Sequence, residues 1–240
     1  MRSYRWWLVF SKALALFALL LAFQARAVVN VDKTRLVFNQ GEISQTLNLK
    51  NGAESPTIVQ IWSDEGDIML SPELSKTPLI ALPPVMKMSP GELRSVRVML
   101  TSKAGLATDR ESLYWLNIYQ IPALEKSSEK AERKVVLPLR IRLKVFIRPA
   151  GLAAPQPADV QKLRFVVQGK TLKIVNPQPW FITLRLRVGD KLRLDNLMMA
   201  PHAQHAVPLD KTLTPGEKVS FSVLEDDGNP ISFQGVVSAS

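Results

Sequence analysis

The stretch from residue 135 to residue 149 constrains the fold most. Its odd positions are Val135, Leu137, Leu139, Ile141, Leu143, Val145 and Ile147, all aliphatic, and its even positions include Arg140, Arg142, Lys144 and Arg148. Successive side chains on a strand point to opposite faces, so this pattern predicts one long strand with an apolar face and a basic face. Strands usually run about five or six residues, and this alternation lasts more than twice that. Such a strand either pairs beyond its own sheet or leaves an apolar comb in water. Pro138 interrupts the comb with a residue that cannot donate to a ladder, which places it at an edge or bulge. A long apolar edge is an aggregation hazard unless something covers it. The pattern therefore predicts that another protein's chain fills the vacancy.

The chain opens with Arg2 and Arg5, continues with an apolar run over residues 13–23, and then reads Ala25-Arg26-Ala27. A basic start, a short apolar run and a small-x-small site are the marks of a secretory signal peptide. The run is short for a membrane span. We expect residues 1–27 to be removed, a mature chain from Val28, and no membrane insertion of that chain. Loss of Arg2, Arg5, Lys12 and Arg26 lowers the formal charge from +10 to +6. That moderate excess, with no Lys/Arg-rich run, argues against nucleic acid as a partner and suits an acidic or carboxylate-bearing protein. The chain has no cysteine, so no disulfide forms and stability must come from burial.

Strand signals recur at short spacing along the rest of the chain. They lie over residues 34–38, 45–49, 57–62, 79–82, 93–100 and 112–121, with turn signals at Asn51-Gly52, Asp64-Glu65-Gly66 and Ser89-Pro90-Gly91. A charged loop over residues 125–134 precedes the long strand. Seven or so short strands of this kind indicate a β-sandwich of immunoglobulin type, with a closed barrel as the alternative. Residues 150–157 are small and Pro-rich and mark a boundary. Beyond them, strand signals over residues 163–168, 171–175, 180–188, 206–209, 219–224 and 231–237 predict a second, smaller β-domain. The expected organisation is all-β: a domain over residues 28–149 that carries the long strand, a linker over 150–157, and a second sandwich over 158–240.

Catalytic and cofactor motifs do not appear. There is no G-x-S-x-G elbow and no P-loop. The only histidines, His202 and His205, fall in a segment that reads as a loop and lack cysteine or acidic partners, so no metal site is expected. Asp64, Glu65 and Asp67 read as solvated turn residues rather than a general acid and base. The inventory predicts no enzyme and no cofactor.

Several motifs together resemble the PapD-like periplasmic chaperones of the chaperone–usher pilus pathway of Gram-negative bacteria. They are Thr34-Arg35-Leu36-Val37-Phe38, Val59-Gln60-Ile61-Trp62, Pro83-Pro84, Ser89-Pro90-Gly91-Glu92, Asp109-Arg110-Glu111-Ser112 continuing to Asn117, Ile121-Pro122, and Arg142-Leu143-Lys144-Val145-Phe146-Ile147-Arg148-Pro149. In the second half Asn176-Pro177-Gln178-Pro179-Trp180-Phe181 and Asp226-Asp227-Gly228 also match. The resemblance spans nearly all of the mature chain. It implies two immunoglobulin-like domains in a boomerang around a basic cleft. It also implies a function: the chaperone lends its long strand to a pilus subunit that lacks its last strand, then passes the subunit to an outer-membrane usher.

By motif, Arg35 and Lys144 match the family's pair that holds the subunit's C-terminal carboxylate. Val135, Leu137, Leu139 and Ile141 match the donor-strand positions, while Leu143, Val145 and Ile147 read as core. Glu111, Arg148 and Asp226 match a salt-bridge cluster that joins the domains. Three features depart from the pattern. The absent disulfide favours the family's short-loop branch, although the loop over residues 125–134 is long for it. Pro138 within the donor strand is unusual. The competing reading is a structural β-sandwich, either a pilin or adhesin domain or a carbohydrate-binding module. Against a pilin stand two domains and a complete long strand.

Overall fold

A computed structural model of the chain describes residues 29–123 and 137–240. The signal peptide over residues 1–27, the mature start at Val28, the charged loop over 125–134 and Val135 lie outside the described residues. Among those described, no helix is long and apolar enough to cross a membrane.

The first half is a sandwich of two sheets. One sheet runs β1 (Val29–Val31), β3 (Ser44–Asn51), β7 (Leu93–Leu100), β5 (Leu79–Leu82). The other runs β2 (Arg35–Phe38), β9 (Leu139–Ile147), β8 (Ser112–Pro122), β4 (Thr57–Asp64), β6 (Val85–Met88). The opening segment thus crosses from one sheet to the other. It does so at Asp32, whose carboxylate accepts the Asn48 amide at 2.9 Å and its side chain at 2.7 Å. Strand alternation sends Leu47 and Leu49, Val59 and Ile61, Val96 and Val98, and Leu116 and Ile118 inward, where they form one core. Two short strands, β1 and β6, went unread in the sequence.

The second half contains a one-turn helix, α1 (Pro157–Val160), and seven strands. Four lie in the order β13 (Leu192–Met199), β12 (Ile182–Val188), β15 (Lys218–Leu224), β16 (Pro230–Ala239), and three in the order β10 (Arg164–Gln168), β11 (Thr171–Val175), β14 (Gln204–Pro208). Strand β16 serves both layers. It pairs with β15 up to Val236 and then runs parallel to β10 from Val237. Gly235 lies at that crossing, where an added Cβ would sit 3.1 Å from the Phe165 ring. A second core, separate from the first, forms between the layers around Phe165, Leu184 and Phe221. The expectation of two all-β sandwiches of immunoglobulin type holds. His205 lies on β14 rather than in a loop, and β13 was missed because its outward residues are charged and its pairing with β12 shifts register.

Candidate functional site

Strand β9 has two unequal edges. Along one it pairs with β8 over its whole length, from Ser112 opposite Ile147 to Gln120 opposite Leu139. Along the other it meets β2 only from Lys144, opposite Arg35, to Ile147, opposite Phe38. Residues 139–143 therefore carry an edge with no strand beside it among the described residues. The apolar comb leaves the core over the same span. Leu143 is 5% exposed, Ile141 is half-buried and Leu139 is 44% exposed. Leu137 is 76% exposed.

The single strand expected over residues 135–149 is thus shorter in the structure, at Leu139–Ile147, and Leu137 and Pro138 stand outside it. The reason is local. The pairing with β8 ends at Gln120, Pro138 has no N–H to offer, and a backbone without a partner gains nothing from staying extended.

Register places Arg35 and Lys144 directly opposite each other on neighbouring strands. Like charges so placed repel. Lys144 Nζ has one weak protein partner, the Thr183 hydroxyl at 3.4 Å, and the buried Arg35 Nε has none among the described residues. Burial, then the Arg35 charge, pulls the Lys144 ammonium below its ordinary value. Burial also lowers Arg35, against the pull of Asp226, Glu111 and Asp227. The two cations sit over the rings of Trp115 and Phe146, at 5.8 and 5.9 Å. An anion arriving here would relieve the repulsion and take charge-assisted hydrogen bonds from both.

Arg148, Glu111 and Asp226 come together where the two sandwiches meet. Arg148 donates to Glu111 through Nε at 3.0 Å, and to Asp226 through Nη1 at 2.8 Å and Nη2 at 2.6 Å. Nη1 also donates to the Asn39 side-chain oxygen Oδ1 at 2.8 Å. Glu111 is 4% exposed and accepts the Phe181 amide at 2.9 Å, while its own amide donates to the Pro179 carbonyl at 2.9 Å. The rings of Phe146 and Phe181 meet across the same seam at 5.8 Å.

Burial pushes the Glu111 carboxyl up to about 7, against the pull of Arg148 and the Phe181 amide. Burial acts against the Arg148 charge as well, but its bonds to Asp226 and Glu111 outweigh it and hold the guanidinium above its ordinary value. These directions conflict if Glu111 and Arg148 are taken as an isolated pair. They are compatible because Asp226 is a second counter-charge, which keeps Arg148 ionised whichever form Glu111 takes.

One reading of the carboxylates needs correction. Glu65 and Asp67 are exposed turn residues, but Asp64 is the last residue of β4 and fully buried. Its carboxylate pairs with Arg142 on β9 and accepts from Asn117 Nδ2 on β8 and the Gly66 amide, both at 2.6 Å. The neighbouring acids and the glycine disguised it as part of a turn. The one sequence signal was its phase, since it continues the alternation of Trp62 and Gln60 onto the face that carries Arg142. His202 sits in a turn with φ of 53°, its ring beside the Pro177 carbonyl at 3.1 Å. Among the described residues no group of three or more His, Cys, Asp or Glu side chains could hold a metal ion.

Two immunoglobulin-like sandwiches joined by a largely buried ion cluster define a two-domain β-sandwich class of protein, and this one carries an unpaired strand edge, among the described residues, beside two opposed cations. Comparison with known proteins agrees with that class. Residues 28–153 match the family model for the N-terminal domain of the PapD pili and flagellar-assembly chaperones, and residues 158–234 match that for the C-terminal domain. The chain is 31% identical over 232 residues to chaperone protein MrkB of Klebsiella pneumoniae, covering 94% of this chain and 99% of that one. It is 29% identical over 217 residues to chaperone protein FimC of Escherichia coli K12, covering 90% and 86%. The crystal structure of the Pseudomonas aeruginosa CupB2 chaperone superposes with a TM-score of 0.71 at 26% identity, over 87% of this chain and 100% of that one. The chain belongs to the PapD-like family of pilus-assembly chaperones.

Proposed function

We propose that this chain is a non-enzymatic periplasmic chaperone that captures pilus subunits by donor-strand complementation and delivers them to an outer-membrane usher. The observation that carries the reading is the unpaired edge of β9 over residues 139–143, continuous with the opposed cations Arg35 and Lys144. The comb residues Leu137, Leu139 and Ile141, with Val135 beyond the described residues, enter the subunit's groove. Arg35 and Lys144 hold the subunit's C-terminal carboxylate and set where the comb begins. Burial of each Val or Leu contributes about 1.5–3 kcal/mol, so the comb supplies most of the affinity. Glu111, Arg148 and Asp226 hold the two domains at the angle that forms the cleft.

The test is co-purification from periplasm with the subunits the chain meets there. Removing a cation that holds a desolvated carboxylate costs about 2–5 kcal/mol of binding. Lys144→Ala and Arg35→Ala should each remain folded and soluble yet lose the co-purifying subunit. Undiminished retention by both would overturn the anchor.

A further inference from the structure

The outward side chains of β9 follow one another at steps of two: Arg140, Arg142, Lys144, Phe146, with Arg148 just beyond. This spacing poses a problem of register for any strand that binds there. A slip of one residue would turn the comb away from its groove, so burial resists it. A slip of two keeps every comb residue on its proper face and merely offers an incoming carboxylate a different cation. In one direction that position is Phe146, whose ring is buried. In the other it is Arg142, and nothing in the comb forbids the move.

Arg142 is already occupied. Its guanidinium pairs with the buried carboxylate of Asp64 and lies over the Trp115 ring at 4.8 Å. Its Nε is buried and, like Arg35 Nε, has no hydrogen-bond partner among the described residues, so what distinguishes Arg142 is the bonded Asp64 carboxylate. One step further, Arg140 donates to the Ile68 carbonyl, lies over Trp62 at 5.3 Å and faces Tyr119 across the ladder, not a second cation. At the other end Arg148 holds Glu111 and Asp226. Among the described residues of this face, only Lys144 has a cation opposite it and no carboxylate bonded to either.

We propose that Asp64 is a register-selecting residue: by neutralising Arg142 it removes the nearest competing cation and confines a bound strand's terminal carboxylate to Lys144 and Arg35. The inference rests on the reading of that pair as the carboxylate anchor. Asp64 does not touch the bound strand. It is a positioning residue that acts through Arg142, and its burial makes the neutralisation strong where an exposed pair would be screened.

The probe is a synthetic strand peptide of alternating valine and threonine with a free C-terminal carboxylate, titrated beside its amidated twin. The wild-type chaperone should prefer the carboxylate at least about tenfold, the scale of a hydrogen bond to a charged group. Absence of that preference defeats the anchor reading, and this inference falls with it. Arg35→Ala/Lys144→Ala should lose the preference. Adding Asp64→Asn should restore it to about tenfold, because Arg142 is released two residues away. Adding Arg142→Gln as well should abolish it again.

A folded triple variant that shows no preference would overturn the proposal. So would a preference retained when only the anchor pair is removed. If the triple variant does not fold, side-chain nitrogen NMR of the wild type decides. The carboxylate peptide, relative to the amide, should shift Lys144 Nζ and Arg35 Nε and leave Arg142 Nε in place. Movement of Arg142 would overturn the proposal.

Discussion

Glu111 is the side chain through which pH reaches the domain junction. Its ordinary value is near 4.5 and burial pushes it up to about 7 in the folded chain. Between those limits the folded protein keeps a proton that the unfolded chain has lost. Stability from this group is therefore full below about 4.5 and is lost as pH rises through about 7, with a limiting slope of about 1.4 kcal/mol per pH unit. Melting temperatures measured from pH 5 to pH 8 should fall for the wild type and fall less for Glu111→Gln, which has no proton to lose. Equal slopes would mean that Glu111 is ionised throughout. The two bonds from Arg148 to Asp226 hold the same junction beside Glu111.

At the scale of the element, β9 is two strands in one. Its residues 144–147 are enclosed between β8 and β2, and among the described residues its residues 139–143 have a neighbouring strand on one side only. The comb therefore divides into core and free portions, and substitutions should divide with it. Leu143→Ala removes a buried side chain and should cost about 2–5 kcal/mol in the melting curve. Leu137→Glu changes a residue that stands in water, so the free protein should melt within about 0.5 kcal/mol of wild type. The same substitution puts a charge into the subunit's apolar groove and should abolish subunit retention. Circular dichroism of free Leu137→Glu, read beside a subunit pull-down, checks both. Loss of the free fold would return Leu137 to the core.

At the scale of the whole molecule, the two cores are separate and a few polar bonds cross the seam between them. Arg148 carries two of them, both to Asp226, and Glu111 carries two more, to the Pro179 carbonyl and the Phe181 amide, while the Arg148 bonds to Glu111 and Asn39 stay within the first sandwich. Removing one partner of a buried pair leaves the other charge uncompensated, at about 3–5 kcal/mol. Arg148→Ala should lower the melting temperature and the periplasmic yield, and an unchanged melting curve would refute a joining role. Only a glycine fits the opposite lip of the seam, since a Cβ at Gly228 would collide with the Thr34 hydroxyl, one residue before Arg35. Export is the other whole-molecule property. N-terminal sequencing of protein released by osmotic shock should begin at Val28, and an intact Met1 on membrane-bound protein would refute cleavage.

The all-β class, the two-sandwich plan, the long comb and most strands were legible in the sequence. Each rests on alternation between near neighbours, and a strand's period of two reports burial directly. Arg35, Lys144, Glu111, Arg148 and Asp226 were legible only through family motifs, because spacing along one chain says nothing about which charges meet. Where the comb leaves the core, that Arg35 lies opposite Lys144, and that Asp64 is buried beneath Arg142 depended on long-range pairing. Asp64 and Arg142 are 78 residues apart, and three strands had to be laid side by side before their charges could meet. Composition near Asp64 favoured a turn. Cross-strand register placed its carboxylate beside a guanidinium and out of water, and the energy of that pairing outweighs the local preference.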